Sequence, residues 1–203
     1  MSDNQTVLLL SGGLDSAALA AWKRPALTLF VDYGQKPRDA EARAARAVAA
    51  HLDLPFTSVT LPLSDLGGGL MHDDHPLPGA PSPEWWPFRN QFLATAGAAV
   101  AVRHQLTRVV LASVRGDGDR HVDGSLPFYE RLDAVTSIQE GEVRVAAPAI
   151  HLSTVELLRE ARAERSLIGW TVSCHRANRP CGDCPGCWKR ELVLADYWPS
   201  RDT

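Results

Sequence analysis

The first 173 residues contain no cysteine; all four cysteines of the 203-residue chain lie near its C-terminus. No thiol is therefore available elsewhere for nucleophilic or persulfide chemistry. Nor does any apolar run approach the roughly 20 residues that cross a bilayer, and the start Met-Ser-Asp-Asn-Gln-Thr lacks the charged and apolar regions of a signal peptide. A cytoplasmic protein with no membrane partner is expected. A net charge of −3 provides no global attraction to nucleic acid. Also missing are an internal repeat, a low-complexity tract and the Gly-x-x-x-x-Gly-Lys-Ser/Thr spacing of a Walker loop, which disfavours γ-phosphoryl transfer. With 45% apolar and 22% charged residues, the composition supports one domain with a sizeable core and a small appendage.

The most informative segment present is Ser11-Gly12-Gly13-Leu14-Asp15-Ser16, which follows the apolar run 7–10 and leads into the helix-forming stretch 15–23. A buried strand ending in a glycine turn that opens a helix gathers backbone N–H groups and the positive helix end around one concave spot. Glycine permits positive φ and close approach of an anion, and the two serines add hydroxyl donors. An ordinary strand-to-helix turn explains a glycine pair, but Asp15 flanked by both serines points to a phosphate.

Cys174, Cys181, Cys184 and Cys187 form a second cluster, in which two Cys-x-x-Cys steps share Cys184. Turn-forming residues fill the gaps, so four thiolates can converge on one tetrahedral centre. Zinc is the natural occupant. Two disulfides oppose a reducing cytoplasm and would be strained at this spacing, whereas an iron–sulfur cluster remains an alternative for four thiolates. A four-thiolate zinc has no open position for water, so its role is to fold the tail. His175 is a candidate substitute ligand, better suited to a supporting role.

Strand and helix patterns alternate along the chain. Strands are expected at 7–10, 26–31, 56–61, 108–114 and 143–150; helices at 15–23, 39–52, 88–105 and from a capping box at Ser153-Thr-Val-Glu156 to about Arg165. This order predicts an α/β, doubly wound parallel sheet over 1–170, followed by a cysteine-bearing segment over 171–203. The interval 62–87, with prolines at both ends and at 76, 78, 81 and 83 and a Gly67-Gly68-Gly69 run, reads as a lid or partner surface beside the site. Trp85-Trp86 within it either stacks on a base or pins the loop. His72-Asp73-Asp74-His75 reads as a solvated acidic turn and is assigned no site. Asp117, Asp119, His121 and Asp123 follow the fourth strand at the ligand-binding edge; Asp117 and Asp123 are candidate contacts to a purine edge or to Mg²⁺, with turn-forming surface polarity as the alternative.

At the end of the second strand stands Asp32-Tyr33-Gly34-Gln35-Lys36, and Arg89-Asn90 opens the mid-chain helix. Together with the Ser-Gly-Gly-Leu-Asp-Ser loop and the terminal four-cysteine knuckle, this ordered set resembles the QueC, or 7-cyano-7-deazaguanine synthase, family of PP-loop ATP pyrophosphatases, whose fold is adenine nucleotide alpha hydrolase-like. The resemblance spans nearly the whole chain. It implies an ATP-dependent ligase: the carboxylate of 7-carboxy-7-deazaguanine attacks the α-phosphate of ATP, pyrophosphate leaves, and ammonia converts the acyl-adenylate to an amide and then, with a second ATP, to a nitrile. It also implies Mg²⁺, Zn²⁺ and a homodimer. On this resemblance Ser11, Gly12, Gly13, Leu14 and Ser16 cradle the pyrophosphate, and Asp15 holds Mg²⁺ or orients the loop. Asp32, Tyr33, Gly34 and Gln35 belong to the nucleotide site; Lys36 and Arg89 offset phosphate charge or hold the substrate carboxylate, with Asn90 beside them.

The chain departs from the family pattern at Pro37, where a histidine is typical, at Phe88 in place of glycine, and at 122–128 in place of a Ser-Gly-Tyr-Pro-Asp-Cys-Arg segment. ATP handling is expected to be intact and recognition altered. That suits a divergent member of the kind found in antiviral operons, including type IV CBASS and Qat, with an amine of a partner protein as acceptor. Two other readings stand beside it. One is a non-catalytic nucleotide- or nucleic-acid-binding module using His175, Arg176, Arg179, Lys189 and Arg190. The other is a persulfide-dependent tRNA-modifying pyrophosphatase, which requires a cysteine outside the knuckle.

Overall fold

The computed structural model describes residues 3–73 and 75–198; Asp74 of the expected acidic turn, and the last residues of the expected terminal segment, lie outside them. Five parallel strands form one sheet in the order β3-β2-β1-β4-β5. In chain order the elements are β1 (Asp3–Leu9), α1 (Leu14–Lys23), β2 (Pro25–Asp32), α2 (Arg38–His51), β3 (Phe56–Thr60), α3 (Arg89–Arg103) and β4 (Arg108–Val110). They continue with α4 (Asp117–Arg120), α5 (Leu126–Thr136), β5 (Arg144–Ala146), α6 (Thr154–Glu160), α7 (Arg165–Ile168) and α8 (Pro185–Tyr197).

The uninterrupted apolar run of β1 follows from burial on both faces. Val7 and Leu9 pack into a core with Ala94, Val100 and Ala101 of α3 and with Tyr129 and Leu132 of α5. Leu8 and Leu10 point the other way, into a core with α1, with Ala45, Val48 and Ala49 of α2 and with Leu157 and Leu158 of α6. Period-two alternation splits these side chains between opposite faces, as a doubly wound sheet requires.

The strands β4 and β5 are shorter than the sequence pattern predicts, and α6 stops at Glu160, where the chain turns through a left-handed Arg162 (φ +49°). The helices α5 and α8 were not expected. Ser125 caps α5, accepting a hydrogen bond from the Phe128 N–H, with proline in its first turn. The 62–87 interval is held in place by its own residues: Trp86 is only 2% exposed and packs edge-on against Tyr33, with ring centroids 4.9 Å apart. Trp86 therefore pins the loop to the core. No helix among the described residues is long and apolar enough to cross a membrane.

Candidate nucleotide site and cysteine knuckle

In a 3-2-1-4-5 sheet the helices change face between β1 and β4, which opens a crevice at the carboxyl ends of those two strands. A cavity of about 540 Å³ occupies that place. The turn after β1 forms its floor. Gly12 has φ +82°, and a Cβ there would come within 2.8 Å of the Glu41 carbonyl oxygen and of Ala44 Cβ, so both conformation and space demand glycine. The Ser11 and Ser16 hydroxyls lie 3.1 Å apart, and Ser16 also donates to the Gly13 carbonyl at 3.1 Å. Gly13 is the N-cap of α1 and supplies no side-chain cap, so the N–H groups of the first turn are left to a ligand.

Asp15 stands in that turn. One of its oxygens, Oδ2, lies 3.2 Å from the Lys189 ammonium, and the other, Oδ1, is buried with no hydrogen-bond partner. Across the crevice Asp117 opens α4. Its Oδ2 accepts from the Val114 N–H at 3.0 Å and its Oδ1 lies 3.9 Å from Lys189. Burial raises the Asp117 pKa, against the pull of Lys189.

The 32–36 segment serves largely as a brace. Asp32 accepts from the Gly34 N–H at 2.9 Å, and a Cβ on Gly34 would strike Ser64 Oγ at 2.2 Å. Gln35 is buried; its Oε1 accepts from the Tyr33 N–H at 2.9 Å and its Nε2 donates to Glu41 at 2.8 Å. Tyr33 and Gln35 reach the cavity, whereas Asp32, Gly34 and Lys36 are outside its lining, as are Gly12 and Leu14 behind the floor. The Lys36 N–H donates to the Met71 carbonyl at 2.8 Å. Glu41, which the sequence reading did not single out, lines the cavity with a carboxyl pushed up to about 7 by burial, against the Gln35 hydrogen bond and Arg89.

Arg89 reaches into the same space, with its guanidinium 3.3 Å from the Met71 sulfur. Burial works against its charge, but Tyr33, Asp123 and Glu41 more than compensate. Beside it, the Asn90 N–H donates to the Asp123 carboxylate at 3.0 Å, and Asn90 Nδ2 donates to the Asp123 carbonyl at 2.8 Å. Asp123 is thus tied to the start of α3 rather than lining the cavity. Glu84, Arg120, His121 and His175 complete the rim. Glu84 is nearly buried and bridges to Arg120 at 2.5 Å; although burial opposes its charge, His121 and Arg120 hold it down to about 2. Its only sequence signal was a lone acid among prolines.

The four cysteine sulfurs all lie within 4.8 Å of one another, and Cys181 alone among them is exposed. Among the described residues no other cluster of three or more His, Cys, Asp or Glu side chains comes together in this way. The knuckle is fastened to the turn after β1 and to the start of α2. The Val172 N–H donates to the Gly12 carbonyl at 2.9 Å, and Asn178 accepts from the Ala40 N–H at 3.0 Å while donating to Asp39 at 2.9 Å. His175 faces the cavity rather than the sulfurs' centre, and burial lowers its pKa to about 4. Of the basic residues around the cysteines, Lys189 turns toward Asp15, Arg190 donates to Thr171 and to the Ile168 carbonyl, and Arg176 pairs with Asp183.

A glycine turn at the switch point of a doubly wound parallel sheet, with uncapped N–H groups and a carboxylate in the helix it opens, defines an α/β fold of the PP-loop class. Residues 5–197 match the family model described as queuosine biosynthesis protein QueC, and the chain belongs to that family. It is 30% identical over 215 residues to 7-cyano-7-deazaguanine synthase of Synechococcus sp. (strain CC9902), covering 97% of this chain and 95% of the relative. The corresponding protein of Acidobacterium capsulatum is 30% identical, with coverages of 90% and 88%. The synthase 1 of Desulfitobacterium hafniense (strain Y51) is 27% identical, with coverages of 96% and 93%. Among solved structures, the U34-tRNA thiolase NcsA from Methanococcus maripaludis, with its 4Fe-4S cluster, aligns at a TM-score of 0.47 and 15% identity over 98% of this chain and 68% of that one.

Proposed function

We propose that the protein is an ATP-dependent ligase that adenylates the carboxylate of 7-carboxy-7-deazaguanine, releasing pyrophosphate, and passes the activated acyl group to a nitrogen nucleophile. A carboxylate oxygen bonds to the α-phosphorus as the bond from that phosphorus to the bridging oxygen breaks, and the electron pair leaves with pyrophosphate. The observation that carries the reading is the uncapped first turn of α1 at the floor of the cavity, with Asp15 beside it. Its N–H groups are donors suited to the charge that develops on the leaving group, and the Ser11 and Ser16 hydroxyls, which bond each other and the Gly13 carbonyl, would turn to join them. Arg89, whose guanidinium stands against the Met71 thioether and Tyr33 in the cavity wall, is suited to grip the substrate carboxylate in two parallel hydrogen bonds.

Asp15 fits a role in holding Mg²⁺, because its Oδ1 is buried without a protein partner; the ion supplies charge neutralisation on the departing pyrophosphate. The four cysteines fit Zn²⁺. Zinc–sulfur bonds of about 2.3 Å place tetrahedral thiolates roughly 3.8 Å apart, and the observed limit of 4.8 Å needs only slight contraction. A four-iron cluster, being larger than one ion, would hold them wider.

The test is mass spectrometry with pyrophosphate detection on purified protein given ATP, Mg²⁺ and 7-carboxy-7-deazaguanine, with ammonium or a candidate partner protein as acceptor. Pyrophosphate release that requires the acid is expected, and Asp15→Asn should lower its rate by about 100-fold or more with the fold intact. ATP turnover indifferent to the acid would overturn the substrate assignment. A free nitrile would identify ammonia as the acceptor; an adduct of higher mass on the partner would identify a protein amine.

A further inference from the structure

Lys189 reaches the nucleotide cavity from the far end of the chain. Its ammonium lies 3.2 Å from Asp15 and 3.9 Å from Asp117, between carboxylates that flank the crevice from the β1 and β4 sides. It lines the same cavity as Ser11, Gly13 and Ser16 of the turn that opens α1. A nucleotide entering there brings several negative charges toward two carboxylates, and a cation at this point offsets part of that repulsion and gives the phosphates a direct partner.

The position of Lys189 is set by the knuckle. The helix α8 starts at Pro185, immediately after Cys184; Cys187 lies in its first turn and Lys189 follows two residues later. Gly186 packs so closely on the carbonyl oxygen of Ser173 that no Cβ would fit between them, which seats the start of the helix against the irregular segment carrying Cys174. The Val172 N–H then bonds the same segment to Gly12, just behind the floor of the site. Two of the four sulfurs therefore hold the root of α8, and the lysine projects from that root.

We propose that Lys189 binds the phosphate chain of the nucleotide directly, and that the metal held by Cys174, Cys181, Cys184 and Cys187 positions it, so that nucleotide affinity depends on metal in the knuckle. This rests on the reading that the cavity takes ATP. Lys189 touches the substrate; the cysteines act through it as positioning residues.

Titration calorimetry with Mg²⁺-pyrophosphate and with α,β-methylene-ATP tests this without turnover. In metal-loaded protein, Lys189→Met is expected to weaken both probes by about tenfold or more, with metal content and melting temperature unchanged, and Lys189→Arg to recover part of the loss. Stripping the metal should weaken binding to wild-type protein by a similar factor and leave Lys189→Met no weaker than before. If the stripped chain unfolds, Cys181→Ser, which keeps the three buried sulfurs, takes its place in the comparison. Unchanged affinity in Lys189→Met would overturn the phosphate contact. Equal weakening of both proteins on stripping would overturn the positioning role. If metal-loaded wild-type protein binds neither probe, the nucleotide reading of the cavity itself falls.

Discussion

Glu41 shows how one residue's surroundings set a measurable property. Burial raises its carboxyl from 4.5 to about 7, so the folded chain holds the proton more tightly than the unfolded chain does. The resulting stability is full below pH 4.5 and is lost as pH rises through about 7. Glu41→Gln keeps an acceptor for the Gln35 amide and cannot ionise. Denaturant unfolding should therefore find the variant close to wild type near pH 4.5 and more stable by on the order of 1–3 kcal/mol at pH 8; a pH-independent difference would refute the burial argument. No sequence feature marked Glu41, since its environment is made by Gln35 from the β2 end and Arg89 from α3. The place of Asp15 in the cavity, by contrast, was legible, because it follows from a turn spanning six consecutive residues.

At the scale of elements, the capping box of α6 is realised on both sides. Ser153 Oγ accepts from the Glu156 N–H at 3.2 Å, and the Ser153 N–H donates to Glu156 Oε2 at 2.7 Å. Ser153→Ala should cost about 1 kcal/mol, read from the midpoint of chemical unfolding, with little effect on nucleotide binding. The helix start was readable because a cap is local chemistry. Its end was not: the pattern runs on to about Arg165, but the left-handed Arg162 breaks it so that α7 can pack its Leu167 and Ile168 into the core. The short helix α5 was hidden for a related reason. Its buried residues, Tyr129, Leu132 and Thr136, make only a sparse stripe, and the hydrogen bond of 2.7 Å between Tyr129 and Ser113 that joins it to the end of β4 is a tertiary contact.

At the scale of the whole molecule, the knuckle and α8 close the sheet's α1 face. Tyr197, in the last turn of α8, donates to the carbonyls of Leu158 and Ala163, so the helix joins the cysteines to α6 and the chain beyond it. Removing the metal with a chelator should lower the melting temperature by about 5 °C or more and make all four thiols reactive to a thiol reagent, whereas the loaded protein protects them; unchanged melting after complete metal loss would show that the knuckle folds without it. What the sequence by itself determined were features whose physics spans a few residues: the strand–glycine–helix turn, the Cys-x-x-Cys steps and the alternation that demands two buried faces. The tertiary structure alone decided which of these meet. Lys189 stands 174 positions from Asp15, and their contact exists because the parallel sheet opens its crevice between β1 and β4 while the knuckle turns α8 back across it. Sheet order and helix packing have no local signature in the chain, since they are set by the sum of many weak burial terms rather than by any one motif.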